Sequence, residues 1–182
     1  MKVHLIRHAQ AVTRTALLPD EYRALTCLGR KKFRQVAASL KKTDFNPDLI
    51  ITSSKIRAVQ TADILAECLQ FNSNIIISAA LSSDHGLAEI EKIVSAYHAA
   101  DELVIVDHEP ALGRIVSQLL SLPPHCQLSK GSTISMKITP GKSGLTAELC
   151  SVVTGSGKFI SKPGAALEWL KEKICTDNKG ER

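Results

Sequence analysis

Four residues have types that would make chemical sense together: Arg7 beside His8, then Arg57, then His108. Arg7-His8 closes an apolar, β-prone run that begins at Lys2. A cation and an imidazole at the tip of a buried strand pack poorly, but they grip an anion well. Arginines fork onto phosphoryl oxygens through directed, charge-assisted hydrogen bonds. A neutral imidazole can attack phosphorus and carry it as phosphohistidine, dividing one displacement into two. A second imidazole can donate to an oxygen whose charge grows in the transition state. This chemistry calls for no metal and no other cofactor.

Those residues need elements to carry them. Lys2–Arg7 is expected as a central, buried strand because it is largely apolar. Residues 9–25 lack a clean period and contain Pro19, the pattern of a long loop over the strand end, where functional groups concentrate. Thr26 is placed to cap a helix to about Leu40, with Phe33, Val36, Ala37 and Leu40 at helical spacing. Leu49–Thr52 is a second strand. Ser53-Ser54 then offers an N-cap for a helix from about Lys55 to Leu69, buried along Ala58, Thr61, Ala62, Leu65 and Leu69. Arg57 falls in its first turn.

Further on, Ile75–Ile77 is a short strand, Leu81–Gly86 a loop, and Leu87–Ala99 a helix with Ile90, Ile93, Val94 and Tyr97 on one face. Leu103–Val106 is a fully apolar strand that ends in Asp107-His108, and Pro110 suits the first turn of a helix to about Leu120. Residues 131–139 and Leu145–Val153 alternate apolar and polar positions on either side of Pro140-Gly141, as a hairpin-like pair would. A last helix spans Ala165 to about Ile174, and a polar tail starts near Thr176.

Strand and helix alternate to about residue 120. The expectation is therefore an α/β three-layer sandwich, with a mostly parallel central sheet and helices on both faces. Ligands of such sheets bind outside the carboxyl ends of the strands, so Arg7, His8, Arg57 and His108 should meet in one crevice. The helix after Ser53-Ser54 could add anion-binding N–H groups. A chain of 182 residues suits one domain, residues 1–182, with no repeat or linker.

Aromatic residues make up 4% of the chain, too few for the stacking platforms of single-strand nucleic-acid binders. The net charge of +5 fits an anionic ligand, yet Lys31-Lys32, Lys41-Lys42, Lys171 and Lys173 are scattered, as on a solvated surface. Five cysteines (Cys27, Cys68, Cys126, Cys150 and Cys175), without a Cys-x-x-Cys pair, argue against a disulfide framework or structural zinc. No signal peptide is evident, and no apolar run approaches the roughly 20 residues of a membrane helix. A cytoplasmic protein with no nucleic-acid or membrane partner is expected.

Four motifs carry a family resemblance. Arg7-His8-Ala9, Leu25-Thr26-x-x-Gly29, Ser53-Ser54-x-x-Arg57-Ala58-x-Gln60-Thr61-Ala62 and Val106-Asp107-His108-Glu109-Pro110 resemble, in this order, the histidine phosphatase superfamily. The short length, the Arg-His-Ala-Gln-Ala start and the His-x-Pro are most similar to SixA-type phosphohistidine phosphatases. The likeness runs from residue 1 to about residue 120 and more weakly to residue 139. It implies a minimal phosphoglycerate mutase-like fold, with His8 as the phosphoryl-accepting nucleophile. It further implies that Arg7, Arg57 and His108 bind the phosphoryl oxygens. Gln10 and Ser132 are additional candidates for substrate contact.

Two departures from the family pattern matter. Ala9 replaces the usual glycine. The loop Leu81-Ser-Ser-Asp-His-Gly86 lacks the Glu that relatives acting on alcohol phosphates carry as a proton donor, leaving Asp84 and His85 as candidate substitutes. An alkoxide leaves poorly, and a donor is worth about 10²–10⁴-fold. An imidazole, whose conjugate acid has a pKa of ~6.5, can be protonated by solvent. The missing acid thus points to a P–N bond, as in phosphohistidine on a partner protein. A broad phosphomonoesterase acting on small phosphorylated metabolites is one alternative, and an inactive phosphate-binding module is another. A mutase would need capping insertions for which the chain has little room.

Each residue also has a plainer reading. His8 could be a hydrogen-bonded structural histidine, Arg57 a surface ion-pair partner and His108 a helix cap. Asp84 and His85 read as polar loop groups, and Ser132 as a turn residue. Glu109 is either a helix N-terminal charge or a ligand contact. His4 reads as a satisfied core or interface histidine, and His98 and His125 as surface. Gly141-Lys-Ser143 is no P-loop, since Met136 stands where the motif needs glycine. Gly155-x-Gly157 lacks the strand–helix context of a dinucleotide site. A metal held between His8 and His108 is opposed by the charge of Arg7.

Overall fold

A computed structural model describes residues 1–81, 84–124, 126–141 and 144–175. In chain order the elements are β1 (Lys2–Arg7), α1 (Cys27–Lys41), β2 (Leu49–Ser53), α2 (Ile56–Leu69), β3 (Ile75–Ser78), α3 (Leu87–Ala96), β4 (Glu102–Asp107), α4 (Ala111–Leu119), β5 (Thr133–Gly141), β6 (Gly144–Val153), β7 (Phe159–Ile160) and α5 (Pro163–Cys175). The strands form one sheet in the order β3-β2-β4-β1-β5-β6-β7. The first four in that order run parallel, and β5, β6 and β7 add antiparallel pairings at one side.

Both faces of the sheet are covered, which explains the unbroken apolar runs of β1 and β4. Side chains of a strand alternate between faces. Leu103 and Ile105 accordingly join Val3 and Leu5 in a core with Ile90, Leu112, Ile115 and Leu170, supplied by α3, α4 and α5. Val104 and Val106 join Ile6 on the other face, against Phe33 and Val36 of α1 and Ala58, Ala62 and Leu65 of α2. This is the expected three-layer sandwich.

The register places the site. In the parallel β1–β4 pair Arg7 stands opposite Asp107, so His8 and His108 leave the sheet side by side. β2 lies on the far side of β4, with Thr52 opposite Val106. The helix after β2 therefore starts at the same edge. β5 returns antiparallel beside β1, and the loop before it is tied to the strand tip by Gly131 N donating to Arg7 O at 3.0 Å.

Several boundaries differ from expectation. The α2 cap position is Lys55 rather than Ser53 or Ser54, because β2 extends through Ser53. The Ser53 hydroxyl accepts from Lys55 N at 3.4 Å, short of a capping bond deeper in the helix. α3 ends at Ala96, with Tyr97 as its C-cap, still packed against the core. Pro110 occupies the cap position of α4 rather than its first turn. Pro140-Gly141 belong to β5, where Gly141 pairs with Gly144. The expected polar tail from Thr176, together with His125, lies outside the described residues. Among the described residues, no helix is long and apolar enough to cross a membrane. Cys27, Cys68, Cys126 and Cys150 are free thiols.

Candidate active site

The loop between β1 and α1 is held by motif residues that do no chemistry themselves. Thr26 caps α1 by accepting from Gly29 N at 2.9 Å. Its own N–H donates to Gln10 O at 3.0 Å. A Cβ on Gly29 would lie 2.1 Å from that same carbonyl, so only glycine lets the helix come this close. From α2, Gln60 Oε1 accepts from Leu25 N at 2.8 Å, and Thr61 Oγ1 accepts from Ala9 N at 3.1 Å. These bonds fix the residues just beyond His8 against the helix that bears Arg57.

His8 is 6% exposed. Its Nδ1–H donates to Ala9 O at 2.7 Å, and Arg57 Nε–H donates to its Nε2 at 3.1 Å. That pairing assigns the ring proton to Nδ1 and leaves the Nε2 lone pair directed toward the guanidinium. Burial pushes the imidazole pKa down to about 3, and the charges of Arg57, Arg7 and His108 add to the effect against the opposing bond to Ala9 O. The ring is thus neutral near pH 7, as a nucleophile must be.

His8 opens into a cavity of ≈ 520 Å³ shared with Arg7, Arg57 and His108. All four residues singled out from the sequence therefore meet. Arg7 Nη1 donates to Leu128 O, which orients the guanidinium at the strand tip. Asp107 is fully buried behind His108, with its Oδ1 2.8 Å from His108 Nδ1, close but not aligned for a linear hydrogen bond. Burial pushes the Asp107 carboxyl up, and the two imidazoles at its oxygens outweigh that and hold it low.

The other candidates divide between the cavity wall and positions outside it. His85 is buried, with Nε2 2.7 Å from Asp107 Oδ2, so it supports the carboxylate behind His108. Asp84 lines the cavity, ion-paired with Arg114, and that partner lowers its pKa. Ser132 is fully buried and donates to Ser129 O at 2.7 Å. Gln10 faces a neighbouring cleft rather than the His8 cavity. Glu109 lines the cavity while its carboxylate accepts from Gly113 N at 3.1 Å and Leu128 N at 2.9 Å, and burial raises its pKa. His4 sits in the core, as its plainer reading held, with its two nitrogens at Ser135 Oγ (2.8 Å) and Glu102 Oε1 (2.9 Å).

Lys55 and Asp20, both in the cavity wall, escaped the sequence reading. Lys55 Nζ lies 3.0 Å from His108 Nε2. Burial and neighbouring Arg57 pull the Lys55 ammonium below its usual pKa. Its place two residues before Arg57, at the head of a helix whose first turn faces an anion site, was the available signal. Asp20 had none, being one acid in an aperiodic loop. Its Oδ2 accepts from Arg57 Nη2 at 2.7 Å and lies 3.7 Å from Lys55 Nζ. Its Oδ1 accepts from Arg14 at 2.9 Å and Arg23 at 3.0 Å. Burial pushes this carboxyl up, but the bonds from Arg57 and Arg14 win and hold it well below the usual carboxylate range. A carboxylate of the chain thus occupies the cationic cage, where its oxygens stand in for those of an incoming anion. Among the described residues, no group of three His, Cys, Asp or Glu is placed to hold a metal ion.

The chain is similar to known proteins in sequence and in fold. A model of the histidine phosphatase superfamily (branch 1) matches residues 3–91. The phosphohistidine phosphatase SixA of Escherichia coli K12 is 26% identical over 121 residues, covering 65% of this chain and 74% of that protein. A solved structure of the protein histidine phosphatase SixA complexed with tungstate superposes with a TM-score of 0.66 at 24% identity, covering 91% of this chain and 99% of that one. The alpha-ribazole phosphatase of Shigella flexneri shares the fold with a TM-score of 0.62 at 16% identity, over 90% and 97% of the two chains.

Proposed function

We propose that the chain is a phosphatase of the histidine phosphatase superfamily and that it hydrolyses phosphohistidine on a partner protein without a metal. The observation that carries this reading is His8, a buried neutral imidazole whose Nε2 lone pair meets Arg57 in a cavity ringed with cations. In the proposed reaction the phosphoryl group displaces the Asp20 carboxylate from Arg57. His8 Nε2 attacks phosphorus in line with the departing imidazole, the P–N bond of the substrate breaks, and the leaving ring takes its proton from water. Arg7, Arg57 and His108 hold the three equatorial oxygens as charge redistributes. Water then attacks the phosphoryl group on His8 and releases inorganic phosphate, restoring the neutral ring.

The acids around the cavity support this substrate class. Asp20 and Asp84 have lowered pKa values and arginine partners, so neither is a ready proton donor at neutral pH. A leaving imidazole needs no such donor, whereas an alkoxide gains about 10²–10⁴-fold from one. Glu109 favours a second reading, a small-molecule phosphomonoesterase, because its raised pKa suits an acid. Protonating it would cost acceptor capacity toward Gly113 N and Leu128 N, and this weighs toward the first reading.

Rapid quench of the enzyme with a radiolabelled phosphohistidine protein tests the mechanism. An acid-labile, base-stable label on the wild-type chain that is absent from His8→Ala is the expected result. Turnover that continues in His8→Ala removes the mechanism. Sugar phosphates turned over faster than phosphohistidine would favour the phosphomonoesterase, and turnover lost in Glu109→Gln would identify its acid.

A further inference from the structure

Beside the His8 cavity lies a larger cleft of ≈ 830 Å³, and the two share Arg7 and Lys130. Its walls come from α1, the loop before β5, the turn between β6 and β7, and α5. Lys32, Lys130, Lys158 and Lys173 line it, and among the described residues no aspartate or glutamate does. None of these four ammonium groups has a carboxylate partner among the described residues. Lysines that are scattered along the sequence are thus gathered by the fold at one place. A cleft lined by one sign of charge concentrates counter-charge from solution.

The walls are fastened to one another. A Cβ on Gly155 would lie 2.3 Å from Lys130 O, so glycine lets the β6–β7 turn close onto the loop before β5. Gly157 has φ +85, which suits glycine, and its carbonyl accepts from Ser39 Oγ of α1 at 2.7 Å. Gly155-x-Gly157, which binds no dinucleotide by its context, therefore pins Lys158 in the cleft wall. Trp169, the chain's single tryptophan, completes the wall with Lys173 Nζ 5.4 Å from its ring centroid.

We propose that this cleft binds an acidic polypeptide segment flanking the phosphorylated residue of the partner, while the phosphoryl group enters the cavity at His8. This rests on the phosphohistidine-protein reading above and adds what selects the protein. The added cations are lysines, flexible point charges, whereas a dedicated phosphate site favours arginine forks. They are spread over four separate elements, which suits a series of carboxylates better than one compact anion. A single-stranded nucleic acid would want several aromatic platforms, and the cleft offers Phe33 and Trp169, of which Phe33 is fully buried.

Two phosphohistidine peptides with the same core, one with acidic flanks and one with neutral flanks, test this on the full chain. Each exposed ion pair is worth a factor of about two, so three give about tenfold. The acidic peptide should show a KM about tenfold lower, at similar kcat. That preference should vanish at high salt and in the triple variant Lys32→Ala, Lys158→Ala, Lys173→Ala, while turnover of free phosphohistidine stays unchanged. Equal KM for both peptides, or a preference that survives in the triple variant, overturns the proposal.

Trp169 fluorescence gives a readout free of catalysis. An unphosphorylated acidic peptide should produce a saturable change in the wild type that the triple variant loses. An RNA oligonucleotide of equal charge that binds more tightly than the peptide overturns the polypeptide assignment. If every phosphohistidine substrate is refused while this titration succeeds, the phosphohistidine reading fails and the acidic-segment site stands.

Discussion

His4 and His8 lie on the same strand and its tip, four residues apart, and both are buried with lowered pKa values. What separates them is which end of the parallel sheet they occupy. At the amino end, His4 has a partner at each nitrogen, and Glu102 also takes Asn46 N at 3.0 Å and lies 3.6 Å from Lys2 Nζ. Every polar group there is answered by another of opposite character. At the carboxyl end, Arg7, Arg57, Lys55 and His108 converge on His8, and the cage is closed by Asp20, a carboxylate borrowed from a loop. The first arrangement balances its charges; the second gathers cations around an imidazole. Burial alone therefore says little about a histidine's role, and the sign of its neighbours says more.

The sharpest way to break this comparison is to delete one imidazole from each end. His8→Ala should lower turnover by at least about 10³-fold, as loss of a covalent nucleophile does, with inorganic phosphate still bound in a titration. Arg57→Ala should lower kcat/KM by about 10²-fold, measured in steady state, because a donor to the transferring group is lost. His4→Ala should do the reverse. It leaves Glu102 without its buried partner and should cost about 2–3 kcal/mol in urea unfolding, with kcat unchanged. A catalytic loss in His4→Ala that matched its loss of stability would erase the distinction.

The pH dependence sharpens it further. Burial holds the His8 pKa down at about 3 in the folded chain, against the ordinary 6.5 of a histidine, so between these limits the unfolded chain binds the proton more readily. Its contribution to stability is therefore whole above about pH 6.5 and is lost progressively as pH falls toward 3. Urea midpoints measured down this window should decline, and His8→Asn should flatten the decline. His4, lowered chiefly by burial, acts in the same direction, so a slope should persist in the variant. The smallest expected effect is at Asp20. Removing its charge in Asp20→Asn frees the cage of its internal competitor and should tighten inhibition by phosphate by about threefold. Weaker inhibition would mean that Asp20 chiefly orients Arg57.

Much of this was legible in the sequence because it is local. The Thr26 cap, the apolar spacing of α1, the buried run of β4 and the charges placed just after strands all depend on near neighbours in the chain. Alternating strand and helix specify a layered sheet, and ligand sites of such sheets lie at the strands' carboxyl ends. Arg7, His8, Arg57 and His108 could therefore be assigned to one crevice without coordinates. Boundaries slipped where local signals were weak. Ser53-Ser54 looks like a cap, but pairing with Ser78 of β3 draws Ser53 into the sheet.

Tertiary structure decided which polar groups face which. Glu102 reaches His4 because β4 lies beside β1, and nothing in either segment names the other. Asp20 enters the cage through the path of an aperiodic loop, and Lys55 meets His108 across two strand ends. Lys32, Lys130, Lys158 and Lys173 share a cleft because the β6–β7 turn is closed onto the loop before β5 through Gly155 and onto α1 through Gly157. The sequence by itself determined the elements, the fold class and which four side chains meet in one crevice, since these follow from periodicity and from residue type at element ends. Only the fold decided the electrostatics of the site. Charge interactions act between residues brought within a few ångströms, and sheet order rather than sequence distance sets that proximity.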